Sequence, residues 1–243
     1  MISLPYTATG GQQFGFAGPV PPQTYNVTST TLSSENDWLR FEVRQGDKAP
    51  SDTINDRVRL DAGMSSAYHM PAGKIAVDRT FAVQFVQNSA ALINTDNLNF
   101  AEYHHVSKAG DVGAAGPIIY SIERSAGLNA SVFRLYRNQV TYSANGLITA
   151  QGPATILYQL ASGLPEGVKI TFREEIGFGP SDGYIRVWMT IGSTAEIQIA
   201  NYTGQVSYGD RRVYPQIGGY RRTRSDILVL LFKIYSGSVA ARL

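Results

Sequence analysis

The chain has 243 residues, 43% hydrophobic and 16% charged, so it can bury a sizeable core and lacks the charge excess of a disordered chain. A formal net charge of +2, from 21 basic and 19 acidic residues, argues against a nucleic-acid partner, and the absence of cysteine removes disulfides, thiolate nucleophiles and Cys-based zinc sites. All-β domains often reach this length as single units, so residues 1–243 are read as one domain.

Residues 1–24 contain Gly10-Gly11, Gly15-Phe16-Ala17-Gly18 and Pro19-Val20-Pro21-Pro22, which read as an arm or loop. This segment has neither a basic start nor an apolar run, and nowhere does an apolar stretch approach the roughly 18 residues of a membrane span. No membrane partner is expected. A role outside the cell would need a signal that has been removed, or incorporation into a phage particle.

From there the dominant signal is alternation of apolar and polar residues. Leu39 to Arg44, Phe81 to Phe85, Val168 to Arg173 and Tyr184 to Met189 each present one apolar and one polar face, the pattern of a sheet buried on one side. Ile227 to Tyr235 is a further strand. Ser89 to Phe100 reads equally as a short helix or a loop, because Asn94, Asp96, Asn97 and Asn99 fit either. The 24 glycines and 11 prolines punctuate the rest with no fixed repeat. An antiparallel two-sheet sandwich of the jelly-roll kind, with a concave groove for a ligand, is the simplest architecture.

Several chemistries are excluded by pattern. No E-x-D-x-x-E carboxylate spacing of a retaining glycosidase occurs, and Glu174-Glu175 would point to opposite strand faces. HExxH and a P-loop are missing too, and three histidines offer few metal-ligand combinations. No metal site is assigned, and His69 reads as an ordinary surface or core histidine.

Three stretches remain. In Tyr214-Pro215-Gln216-Ile217-Gly218-Gly219-Tyr220-Arg221, extended backbone puts Tyr214, Gln216, Gly218 and Tyr220 on one face, open to a polymer; a tyrosine-rich packed strand is the plain alternative. In Glu102-Tyr103-His104-His105, Glu102 shares a face with His104, where a carboxylate can orient an imidazole. In Asn55-Asp56-Arg57-Val58-Arg59-Leu60-Asp61, Arg57 and Arg59 point the same way, suiting a sugar carboxylate, unless Asp56 and Asp61 take them as surface ion pairs. Arg211, Arg212, Arg221, Arg222 and Arg224 crowd one stretch as a local anion-attracting patch or a solvated face.

In order, these stretches resemble the heparin-lyase-like and glucuronan-lyase-like polysaccharide lyases, a jelly-roll family. Leu39 to Asp47 is similar to its R-F-E-V-R-x-G-D strand and turn, Arg57 to Asp61 to its R-x-R/S-E strand, and Ala101 to His104 to its G-Q-x-H segment. Tyr184 to Gly192 is similar to its V-W-x-N-G strand and turn, and Tyr214 to Arg221 to its Y-x-K-x-G-x-Y-R strand. The match spans roughly residues 38 to 222, and Gln216 and Glu102 stand where lysine and glutamine are usual. The resemblance implies β-elimination on a uronic-acid glycan, with Tyr220 exchanging protons, His104 as its partner, and Arg57, Arg59, Glu102, Tyr214, Gln216 and Arg221 binding substrate. It implies no required cofactor and leaves room for a structural calcium ion. A glycan-binding or virion jelly roll without catalysis is the second reading, and a glycoside hydrolase the third.

Overall fold

The computed structural model describes residues 28–30, 38–46, 55–61, 75–87, 97–124, 131–206, 211–222 and 225–241. The 1–24 arm, His69, Arg224 and most of the Ser89 to Phe100 stretch lie outside these residues. No helix occurs among them, so none is long and apolar enough to cross a membrane.

Among the described residues fifteen strands form. β1 (Thr28–Thr30), β2 (Trp38–Val43), β4 (Ile75–Gln87), β11 (Ile170–Phe178), β12 (Gly183–Ile191), β13 (Ile197–Gly204) and β15 (Leu228–Ala241) make one antiparallel sheet in the order β1-β2-β15-β4-β11-β12-β13. β3 (Asn55–Asp61), β5 (Asn97–His105), β6 (Ile118–Arg124), β7 (Ser131–Arg137), β10 (Thr155–Leu160) and β14 (Val213–Arg222) make the second, in the order β10-β7-β6-β5-β14-β3. A hairpin of β8 (Val140–Tyr142) and β9 (Ile148–Gln151) stands apart. The chain crosses repeatedly between the sheets, as a jelly roll does, and the all-β sandwich read from alternation is the fold found. Asn97 to Phe100, left between helix and loop by its asparagines, is strand because Leu98 and Phe100 bury their side chains completely or nearly so.

Phenylalanines from both sheets meet between the layers. Phe85 packs edge-on to Phe100 at 5.5 Å, Phe172 to Tyr120 at 5.2 Å, and Phe81 to Tyr120 at 5.8 Å. Such edge-to-face pairs add specificity to the burial that drives the layers together.

One polar node interrupts this apolar layer. Glu174 of β11 is fully buried, and Arg79 of β4 donates to it twice, at 2.7 Å and 3.2 Å. From the opposite sheet Tyr103 donates to the same carboxylate at 2.9 Å, and Tyr120 donates to its other oxygen. Burial pushes both phenols well above their ordinary value, which keeps them protonated donors. Glu174 is thus a four-bond tie between the two sheets, directly behind the strand that carries His104. Glu175 emerges on the far side and meets Arg173, as the alternation predicts.

Candidate functional site

The three stretches singled out in the sequence come together, because β14 lies between β3 and β5. Register sets Tyr214 opposite His104 and Gln216 opposite both Glu102 and Asp61; further along, Gly218 faces Arg59, and Tyr220 faces Arg57 and Asn99. Directly opposed residues share a sheet face, so these positions line the outer face of the six-stranded sheet. The side chains of Arg57 and Arg59 lie outside the described groups; only their strand positions are placed.

Two irregularities shape this face. β5 bulges between Asn99 and Ala101, so Phe100 and Ala101 both turn inward; β14 shifts register between Ile217 and Tyr220. The Gly-Gly pair serves that shift in two ways. Gly218 has φ of 128°, a left-handed value that favours glycine, while a Cβ on Gly219 would stand 2.5 Å from Cγ2 of Val43. Only a shallow recess results, without room for a water molecule, between Asn99 to Glu102 on β5 and Gln216 to Gly218 on β14.

At one end of the face sits His104. Its ring packs on Tyr214 at 5.6 Å between centroids, tilted by 32°, and stacks on His105 at 5.0 Å. Nδ1 of His104 lies 2.9 Å from the carbonyl oxygen of His105. A carbonyl only accepts, so Nδ1 carries the proton and the neutral ring keeps its lone pair on Nε2. In the middle, Glu102 is 6% and Gln216 2% exposed, and Oε1 of Gln216 has no hydrogen-bond partner within the protein. At the other end, the amide of Asn55 donates to the phenol oxygen of Tyr220 at 2.6 Å.

Two expectations need correcting. Tyr220 and His104 do not meet: their partners on β5, Asn99 and His104 itself, are five residues apart, roughly 16 Å along a strand. The phenol beside His104 is Tyr214, expected only to bind substrate. Arg221 does not reach the face at all. Strand alternation sends it inward, where it is fully buried and donates to the carbonyl of Val43 at 3.1 Å and to Asp226 at 3.3 Å. The arginine cluster is dispersed for the same reason: Arg211 is buried in an ion pair with Asp111, and only Arg212 and Arg222 are exposed among the described four.

The sequence reading missed two groups. Asn55, at a strand start, becomes relevant only once β3 and β14 are paired. Asp111 accepts from Arg211 and from the backbone N–H groups of Ile148 and Lys108, which hold its carboxyl far below the ordinary range. It thereby ties the segment after His105 to the β8-β9 hairpin and to the start of β14. His105 itself is pushed down to about 4 by burial, with His104 and Arg211 adding to the effect. Among the described residues no three His, Asp or Glu side chains gather as metal ligands.

The fold is a jelly-roll sandwich, and solved polysaccharide lyases share it. A family 7 alginate lyase, A1-II′, solved with a product, superposes with a TM-score of 0.55 at 13% identity, over 88% of this chain and 83% of that one. An alginate lyase from Klebsiella pneumoniae gives 0.52 at 10% identity, over 90% and 84%. The catalytic domain of a GH131 β-glucanase from Podospora anserina gives 0.51 at 11% identity, over 84% and 74%. The shared fold is thus one that alginate lyases and a β-glucanase have in common, where the motifs resemble heparin-lyase-like and glucuronan-lyase-like enzymes. No protein-family model and no curated protein matches the chain.

Proposed function

We propose that this protein is a polysaccharide lyase that cleaves a uronic-acid glycan by β-elimination, with alginate as the first substrate to test. The observation that carries this reading is the pairing of His104 with Tyr214 on the outer face of the six-stranded sheet, two residues from the Glu102–Gln216 pair and its recess. The alginate-lyase fold supports it.

The residues fit the two proton transfers. Nε2 of His104 accepts the C5 proton, the C5–H electron pair becomes the C4=C5 double bond, and the C4–O4 bond breaks with its pair on O4. Tyr214 protonates that oxygen, and solvent exchange returns the proton from the imidazolium to the phenolate. The difficult step is removing a proton beside an already ionised carboxylate. Donors aimed at that carboxylate lower its cost by a few kcal/mol each. Gln216 is proposed for this task, together with Arg59 and Arg57, whose strand positions follow along β3. Tyr220 and Asn55, at the far end, hold a neighbouring sugar.

The test is growth of ultraviolet absorbance from the unsaturated uronate when the protein meets alginate, glucuronan or hyaluronan. Activity in the wild type that disappears in Tyr214→Phe and His104→Ala, with folding intact, is expected. Full activity in both variants overturns the assignment. A glycan-binding protein without catalysis is the second reading, favoured by the 7% exposure of Tyr214; it predicts saturable binding with the polymer length unchanged.

A further inference from the structure

From the Tyr220 end, the same face continues across β6 and β7. Register runs from Tyr220 to Asn99, from Asn99 to Ser121, from Ser121 to Arg134, and from Arg134 to Gln159. At its far end Nη1 of Arg134 donates to Glu123 at 2.6 Å and to the phenol oxygen of Tyr136 at 3.2 Å, and Nε donates to Gln159 at 3.0 Å. Tyr136 in turn donates to Glu123 at 2.7 Å. Three partners hold the guanidinium, with Nη2 outside those contacts, and the side chain is only 19% exposed.

Between the two ends stands Ser121, 1% exposed, whose Oγ has no hydrogen-bond partner within the protein; Gln216 Oε1 is in the same condition on β14. A buried polar atom without a partner is costly, and a fold retains it most readily where a ligand completes the bond. Two such atoms on one face, Ser121 in the cross-strand row of an immobilised guanidinium and Gln216 in the neighbouring row that runs through Glu102 and Ile119 to Tyr136, mark a track.

We infer that Gln216, Ser121 and Arg134 form a binding track running crosswise over the strands, on which the polymer lies, and that Arg134 with Tyr136 holds a sugar remote from the one cleaved. This rests on the lyase reading and specifies the substrate beyond it. Three strand spacings separate β14 from β7, roughly 14 Å, so one ring cannot reach from end to end but a short oligosaccharide can. Glu123 already neutralises Arg134, so this end binds sugar hydroxyls and not a second carboxylate.

The probes are alginate oligosaccharides of two to six units, used for turnover with the wild type and for binding in a Tyr214→Phe background. The expected result is affinity and kcat/KM that climb with length, and an Arg134→Ala effect that grows with length to about tenfold or more on the longest probe. The climb with length should persist at high salt. Gln159→Ala, an exposed position, gives the same trend more weakly if Arg134→Ala unfolds. An equal effect at all lengths, or a climb untouched by both variants, overturns the track. Length-dependent binding without absorbance growth removes the lyase reading and keeps the track; absorbance growth indifferent to Arg134 does the reverse. No binding and no turnover with any oligosaccharide overturns both.

Discussion

His104 and Tyr214 stand ring against ring at 5.6 Å, joined by the register of β5 with β14, and His104 is oriented by the carbonyl of its own neighbour at 2.9 Å. An imidazole with a defined tautomer beside a phenol is what a paired proton transfer requires.

Activity should therefore separate the two tyrosines of β14. Tyr214→Phe is expected to lower kcat on alginate by about 100-fold or more, the usual contribution of a general acid or base. Tyr220→Phe and Asn55→Ala should act mainly on KM and resemble each other, since the Asn55 amide and the Tyr220 oxygen share one hydrogen bond. Steady-state kinetics on the three variants checks this; a kcat loss in Tyr220→Phe as large as in Tyr214→Phe would sink the assignment.

Much of this is legible in the amino-acid sequence. The alternation in Phe81 to Phe85 and in Tyr184 to Met189 predicts strands that β4 and β12 contain, and it separates Glu174 from Glu175 correctly. The same rule, applied to Tyr220 and Arg221, would have sent Arg221 inward. What alternation cannot supply is register: which tyrosine meets His104 depends on how β14 slides against β5 and on two bulges, and neither has a local signature beyond Gly218-Gly219. Likewise Arg79 and Glu174 are 95 residues apart and meet only after the sheet forms.

The buried node predicts a large stability effect away from the candidate site. Glu174→Gln leaves the Arg79 guanidinium uncompensated in the interior and should cost about 3 to 5 kcal/mol, whereas Arg79→Met combined with Glu174→Leu should cost less than the sum of the single changes. Urea unfolding of the single and double variants measures both. Additive losses would show that the pair is not a coupled unit.

Gly219→Ala tests the close approach of β14 to β2 and β15. The added Cβ would meet Val43 at 2.5 Å and Leu230 at 3.3 Å, so strands must part or rotamers shift, at a cost of about 1 to 3 kcal/mol. The expected signature is a lower denaturation midpoint together with weakened activity, because Gly218 and Tyr220 move with the same backbone. A variant as stable as the wild type would mean that the two layers are looser here than the contact implies.

Burial of His105 links stability to pH in a defined window. Its folded-state value is lowered to about 4 from 6.5, so between these values the unfolded chain binds the proton more readily than the folded one, and stability falls as pH drops through that range. At pH 4.5 the loss attributable to this ring is about 2 kcal/mol relative to pH 7. Asp111 does not share the window, since its carboxyl is held far lower by Arg211; its contribution is lost only as pH falls below the ordinary carboxylate range. Unfolding free energies at pH 7, 5.5 and 4.5 should therefore diverge between wild type and His105→Gln, with the wild type the steeper. Parallel profiles would place the histidine in contact with solvent and remove it from the interior of the sandwich.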